Sequence, residues 1–289
     1  MKAKPYSRVS AVLRACMTRH KTVQDNIDCT VVVGSCDKYA DLLGPFIALF
    51  RKFWPDCPFE VVLVTETDPH IEGFDRTIAC GGGMNWASRM EKALGEVSTS
   101  AVLMLCDDYY LSSPVETEKV LFRLEQMKSL NAVNLRLIPN PVPRSGNSKS
   151  AAHGLFEYRK NTAYCIATQA GFWDREFLKG LLHGKASIWE FERHGSFEVG
   201  EESRPLLVTP EKEFPFVDAV HKGCWEKFGL AVCRKNGIEP DLSVRGLPPL
   251  RTRLVEALKA LVFAIFPTSL IVRAQTALGQ GAKEKRAGT

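Results

Sequence analysis

Two aspartates stand side by side in VLMLCDDYYL, residues 102 to 111, where an apolar run meets Asp107, Asp108 and two tyrosines. Adjacent carboxylates suit a hard divalent cation, Mg²⁺ or Mn²⁺, which takes oxygen ligands and commonly bridges to substrate phosphate. The alternative is an ordinary solvated strand end, but the residues before the pair are too apolar for an edge strand. Further groups able to do chemistry follow other apolar runs: Ser35, Asp37 and Lys38 in GSCDKYADLL, and Glu66 in FEVVLVTE. Gly81-Gly82-Gly83 runs toward a helix start, where backbone N–H groups can approach phosphate. Arg89 and Lys92, three apart on that helix, share a face and could meet a diphosphate. Glu190 and Glu192 in SIWEFERHGS, and His221 with Lys222 in AVHKGCWEK, complete the set.

The elements that must position these groups follow from hydrophobic period and turn residues. CTVVVGS reads as a buried strand, and Leu42, Leu43, Phe46, Ile47, Leu49, Phe50 and Phe53 recur at helical spacing up to Pro55. FEVVLVTE is a second strand, TIAC a third, and a helix begins near Asn85 or Trp86. SAVLMLCDDYYL is read as one further buried strand, and a helix runs from Pro114 to about Leu130. Strands alternating with helices predict an α/β fold around a mainly parallel central sheet. In such sheets ligands gather at the carboxyl ends of the strands, which is where Ser35, Asp37, Glu66, Asp107 and Asp108 fall. Farther on, residues 163 to 168 read as a strand leading through a small-residue turn to a helix, and PNPVPRSGNSKSAAHG reads as a loop.

Composition is that of a globular protein, 45% hydrophobic and 25% charged over 289 residues. The formal net charge of +5 is unevenly spread. Residues 1–26 carry six Lys or Arg against one acid, and residues 249–289 carry seven against two. Three segments are therefore expected: a basic N-terminal extension (1–26), a catalytic domain (27–248) and a basic amphipathic helical tail (249–289). The tail's apolar run is broken by Glu256, Lys259 and Pro267, which suits an interfacial helix pair better than a span of about 20 apolar residues. Basic ends of this kind match an anionic membrane surface, and nothing in their pattern suggests nucleic acid. Nine cysteines without a CxxC pair point to reduced thiols in the cytosol, and Arg14 interrupts the only apolar stretch a signal peptide could use.

The segments SCDKYADLLGPFIALFRKFWPDCPFEVVLVTE, NWASRMEKAL, LMLCDDYYL, ATQAGFWDREFL and IWEFERHGS, in that order, resemble bacterial GT-A-fold glycosyltransferases of capsule and O-antigen assembly. The resemblance covers roughly residues 29 to 235. It implies a GT-A-like domain in which Ser35, Asp37, Lys38, Glu66, Trp86 and Arg89 lie about the nucleotide donor. Asp107-Asp108 would take the place of the family's Asp-x-Asp motif and bind the diphosphate through Mn²⁺ or Mg²⁺. Tyr109 departs from that motif. An inverting transfer also needs a base for the acceptor hydroxyl. Glu190 and Glu192 are the candidates, because Trp189 and Phe191 could bury them enough to raise a carboxylate's pKa. They point to different faces of a helix, and Glu192 is favoured. His221 is a candidate metal ligand, Lys222 a countercharge for the leaving nucleotide, and Gln169 a contact to a sugar.

Taken together these readings predict a cytoplasmic glycosyltransferase, peripheral on the inner face of the membrane, moving a sugar from a nucleotide sugar to a glycan or lipid-linked glycan. Two alternatives use the same residues: a degenerate nucleotide-sugar-binding scaffold, and a nucleotidyltransferase. The second normally carries a Gly-rich basic signature after the first strand, which GSCDKYADLL lacks.

Overall fold

The computed structural model describes residues 27–249. The expectations for residues 1–26 and for the tail beyond residue 249 lie outside the described residues. Four strands, β1 (Cys29–Gly34), β2 (Glu60–Thr65), β3 (Arg76–Ala79) and β4 (Ala101–Cys106), form a parallel block in the order β3-β2-β1-β4. Tyr109–Leu111 is a short separate strand, β5. The main sheet continues with β6 (Asn134–Arg136), β7 (Ser148–Ser150), β8 (Phe156–Tyr158), β9 (Gly171–Asp174) and β10 (Leu206–Val208), giving nine strands in the order β3-β2-β1-β4-β9-β6-β10-β8-β7. Because β9 is antiparallel to both neighbours and β8 to both of its own, seven of the nine strands point one way. The fold is thus mixed α/β with a mainly parallel central sheet.

Alternation along β1, β2 and β4 explains why helices cover both faces. Val31, Val33, Val61, Leu63, Leu103 and Leu105 face one apolar layer, whereas Val32, Val62, Val64, Val102 and Met104 face the other. Strands apolar on both sides are the signature of a sheet buried twice. The first layer is closed by α1 (Ala40–Phe53) and α3 (Thr117–Ser129), the second by α2 (Trp86–Glu96), α4 (Arg175–Leu182) and α5 (Ile188–Glu198). Trp54, wholly buried beyond the end of α1, packs edge-on against Phe59 and Phe214 and ties the first layer together. Helix caps follow from sequence: Asn85 accepts from the Ser88 N–H at the start of α2, and Asp174 from the Phe177 N–H at the start of α4.

Three expectations change. VLMLCDDYYL is two strands: the acids form the turn between β4 and β5, and β5 leaves the main sheet to pair with β11 (Phe216–Asp218). The stretch 163–168 is irregular, and the strand lies later, at β9. Cys165, Ile166 and Ala167 are buried, but side chains take the place of a ladder. Arg136 donates to the Tyr164 and Cys165 carbonyls, the Ser196 hydroxyl accepts from the Ile166 N–H, and Glu192 accepts from the Thr168 N–H. The helix α3 begins at Thr117, three residues after Pro114. Beyond β11 a two-stranded hairpin of β12 (Val220–His221) and β13 (Cys224–Trp225) turns on Lys222 and Gly223, both at positive φ, as such tight hairpins require. Helix α6 (Lys227–Lys235) follows.

Candidate active site

The carboxyl ends of β1, β2 and β4 meet at one place, and their polar residues bond to one another there. Ser35, just past β1, donates its hydroxyl to Asp107 Oδ2 at 2.6 Å. Asp37 accepts from the Thr67 N–H and hydroxyl at 3.0 and 2.9 Å and from the Thr65 hydroxyl at 3.1 Å. The Thr67 N–H is the main cause holding its carboxyl below the usual range. The Asp37 N–H in turn donates to Glu66 Oε2 at 2.5 Å. Lys38 lies on the exposed 3-10 turn Asp37–Tyr39, and its carbonyl accepts from Arg245 at 3.0 Å.

Arg89 does not face outward toward a ligand, and Lys92, though exposed, is engaged with the backbone. The Arg89 guanidinium is buried and donates to Glu66 Oε1 at 2.5 Å, to the Met84 carbonyl at 2.8 Å and to the Ser35 carbonyl at 3.3 Å. It therefore straps the glycine loop to the ends of β1 and β2, a positioning role. Lys92 donates to the Cys80 carbonyl at 3.0 Å. Trp86, half-buried at the start of α2, stands edge-on to Phe191 with centroids 5.6 Å apart. Its indole nitrogen lies 3.6 Å from where a Cβ on Gly34 would sit.

Asp107 and Asp108 are the most perturbed carboxyls of the group. Burial pushes Asp107 up to about 7, against the Ser35 hydrogen bond that pulls it down. Burial together with the charges of Asp107 and Asp218 pushes Asp108 up to about 8. No ion pair joins either to a cation among the described residues; the positive influence on both is Arg245, which is itself bonded to Asp41. The two tyrosines explain the rest of the motif. Tyr109 stacks on Phe216 at 4.0 Å and donates to the Thr168 carbonyl at 3.4 Å, whereas Tyr110 points the other way and donates to the Leu42 carbonyl at 3.0 Å. The two rings thus anchor the acid turn on two sides, to β11 and Thr168 through Tyr109 and to α1 through Tyr110.

The same Thr168 reaches Glu192. Its N–H and hydroxyl both donate to Glu192 Oε1 at 2.8 Å, and Oε2 has no donor among the described residues. The Cys106 thiol, pushed up mainly by burial, feels the charges of Asp108, Asp107 and Glu192 in turn, so Glu192 belongs to the same neighbourhood. Glu190 points elsewhere: its Oε2 accepts from the Ala186 N–H at 2.7 Å, and its N–H donates to the Ser187 hydroxyl, a reciprocal cap for α5. Trp189 is 66% exposed, while Phe191 is fully buried.

A cavity of about 560 Å³ opens beside the acid turn, lined in part by Asn140, Gln169, Lys212, Asp218, His221 and Phe228. Gln169 and His221 therefore face this space, and Lys222 is exposed on the adjoining hairpin. Asp218, aligned with Tyr109 in the β5–β11 ladder, is pushed up by burial against the pull of Lys212 and His221. Asp218, Lys212 and Arg245 escaped sequence reasoning. Only topology brings them to the acid pair, since none adjoins it in sequence.

No three His, Cys, Asp or Glu side chains are grouped to hold a metal among the described residues. The donor set still fits a hard cation. Two desolvated carboxyls with no cationic partner among the described residues hold protons that a hard cation would displace, and Mg²⁺ or Mn²⁺ usually keeps water and substrate phosphate as its other ligands.

No family model matches the chain, and no curated protein matches it in sequence. It is similar to several solved structures. S. aureus TarS 1–349 in complex with UDP-GlcNAc shares 14% identity at a TM-score of 0.44, over 70% of this chain and 61% of that one. A cytidylyltransferase from Leptospira borgpetersenii shares 11% at 0.39, over 78% and 99%. A nucleotidyl transferase from Methanothermobacter shares 14% at 0.41, over 65% and 88%. The chain thus spans about three-fifths of the TarS fragment. At TM-scores below 0.5 these likenesses decide nothing of its chemistry, which has to be argued from its own residues. Among the described residues no helix is long and apolar enough to cross a membrane.

Proposed function

We propose that this protein is a nucleotide-sugar-dependent glycosyltransferase of GT-A type, acting on a glycan or lipid-linked glycan in surface polysaccharide assembly. The observation that supports this best is the Asp107-Asp108 turn. It is desolvated, without a cationic partner among the described residues, tied to Ser35 at the end of β1, and linked through Asp218, whose charge acts on Asp108, to a cavity that Asp218 lines. Asp37 and Glu66 shape the nucleoside end, Arg89 holds that edge in place, and Trp86 backs it. Asp108, with Asp107 and with His221 near the cavity, would hold Mg²⁺ or Mn²⁺. The ion, when bound, offsets the negative charge on the donor diphosphate.

Glu192 is the base in this reading. The acceptor oxygen attacks the anomeric carbon as the bond from that carbon to the diphosphate oxygen breaks, and the hydroxyl proton passes to Glu192 Oε2. Thr168 fixes the other carboxylate oxygen, so the base is oriented before substrate arrives. Lys222 supplies countercharge for the leaving nucleoside diphosphate, and inversion at the anomeric centre follows from a single displacement. The basic ends at 1–26 and 249–289 would hold the enzyme to the inner face of the membrane, each Lys or Arg near an anionic surface contributing about 1 kcal/mol.

Thermal shift across a panel of nucleotide sugars, with and without Mn²⁺, tests the reading, since a ligand that binds only the folded chain raises its melting temperature. A shift that needs Mn²⁺ and is lost in Asp108→Asn is expected. A metal-independent shift would remove the role given to the acid pair. Release of pyrophosphate from a nucleoside triphosphate, in place of nucleoside diphosphate from a nucleotide sugar, would make the protein a nucleotidyltransferase.

A further inference from the structure

Helix α6 buries Gly229, Leu230 and Cys233 and turns its other side to solvent. The exposed positions are Lys227, Phe228, Ala231, Arg234 and Lys235, three cations and one large ring with no acid among them. None of the three cations pairs with a carboxylate among the described residues, whereas Lys119, Lys128 and Lys185 on other elements each do. The Lys227 ammonium lies 4.7 Å from the centre of the Phe228 ring, which is 59% exposed.

The segment after α6 adds apolar surface at the same end of the molecule. The Trp225 N–H, just before α6, donates to the Gly246 carbonyl at 3.1 Å, and Val244 and Leu247 on either side of Gly246 are 57% and 50% exposed. Large apolar side chains gathered in this way mark an interaction surface. On the neighbouring hairpin Lys222 is exposed and His221 lines the cavity. Nearby acids are partly engaged elsewhere: Asp218 and Glu226 line the cavity, and Asp241 accepts from the Ser243 N–H and hydroxyl. Glu239, beyond the helix end, is exposed.

Charge selects what can cover this face. Residues 1–26 carry six Lys or Arg against one acid and residues 249–289 seven against two, so neither end of the chain complements it. A second copy would bring the same three cations against them. An anionic bilayer complements both features, because its surface potential attracts Lys and Arg while aromatic side chains settle at headgroup level. The basic tail begins directly after this segment, so both can meet one membrane surface.

Resting on the membrane-bound transferase reading, we infer that the outer face of α6, with Val244 and Leu247, is a docking surface of the folded domain for anionic lipid. Docking there sets the mouth of the cavity, which Phe228 lines, against the bilayer.

Co-sedimentation of the full chain with vesicles tests this, using phosphatidylglycerol and phosphatidylcholine in equal parts beside phosphatidylcholine alone. Binding is expected on the anionic vesicles. Lys227 and Arg234 are exposed, so replacing them spares the fold. Lys227→Gln with Arg234→Gln should weaken binding by about tenfold. Phe228→Ala with Leu247→Ser should weaken it by about threefold. Phe122→Ala, which removes a similarly exposed ring on α3, should bind as the unaltered chain does. On anionic vesicles hydrogen exchange should slow at residues 227–229 and 241–247. Slowing confined to residues 1–26 and 250–289, with both double variants binding as the unaltered chain does, would overturn the inference and leave the membrane role of the basic ends standing. Equal binding to both vesicles would overturn the selection of anionic lipid. A dimer in solution that Phe228→Ala dissociates would give the face to a second copy and overturn the inference too. Binding to neither vesicle would remove both membrane roles, while the nucleotide-sugar thermal shift would still decide the donor reading.

Discussion

Asp108 is the residue at which, in the transferase reading, a proton and a metal would compete. The unfolded chain loses the Asp108 proton near 3.8, whereas the folded chain keeps it up to about 8 because of burial and the charges of Asp107 and Asp218. Between those values the folded state binds more protons, so this group's stabilising contribution is present below 3.8 and fades as pH rises through about 8. Asp107 acts in the same direction up to about 7. The Asp108→Asn variant should therefore show a flatter decline in melting temperature between pH 5 and 8 than the unaltered chain. At pH 8 it should be the more stable by more than about 1 kcal/mol. Adding Mn²⁺ at pH 8 should raise the unaltered chain and not the variant. Parallel melting curves for both chains across that range would remove the account of Asp108 as an uncompensated buried acid.

The elements differ in how plainly the sequence announces them, and the reason is where their hydrogen bonds go. In β1, β2 and β4 the backbone is held by ladders on both sides, and an unbroken β-branched or aliphatic run reads as a strand at once. The stretch around Cys165 and Ile166 is as apolar, but side chains of Arg136, Ser196 and Glu192 bond its backbone, so composition suggests a strand that topology does not supply. Likewise Asp107-Asp108 was legible as an acid pair at a sheet edge, while the pairing of β5 with β11 across more than a hundred residues was not. That pairing places Asp218 and the cavity, and α6 supports it through one small residue. A Cβ at Gly229 would lie 2.5 Å from the Ala219 Cα, a backbone atom that cannot step aside. Gly229→Ala should push α6 away from the β11–β12 junction and cost about 1–3 kcal/mol. Its hydrogen exchange should rise at residues 216–225 and not in β1 or β2; uniform protection there would show that the helix can shift without loss.

At the scale of the molecule, the chain after α6 returns to the end of β1, and Arg245 is the latch. Its guanidinium donates to both Asp41 oxygens at 2.8 and 2.9 Å and to the Lys38 carbonyl at 3.0 Å, over the Tyr39 ring at 4.1 Å. The Trp225 N–H donates to the Gly246 carbonyl at 3.1 Å, so the same segment also closes on the hairpin beside the cavity. Residues 204 apart in sequence thereby join the segment after β1 to the last described turn before the basic tail. Arg245→Ala would leave Asp41, whose side chain is 10% exposed, without its cation. Stranding a buried charge costs about 3 kcal/mol or more, which for a chain of this size is a fall of roughly 6–12 °C in melting temperature. Two further effects distinguish the latch from a general loss of packing. Hydrogen exchange should quicken at residues 38–43 and 241–247 before it does in the sheet. The decline of stability between pH 5 and 8 should steepen, because Arg245 draws both Asp107 and Asp108 downward and its loss lets them rise. Arg245→Lys keeps the charge without the paired hydrogen bonds, so it should recover the pH profile and only part of the exchange protection. Equal behaviour of the alanine and lysine variants in both measurements would show that the segment is held by the hairpin alone.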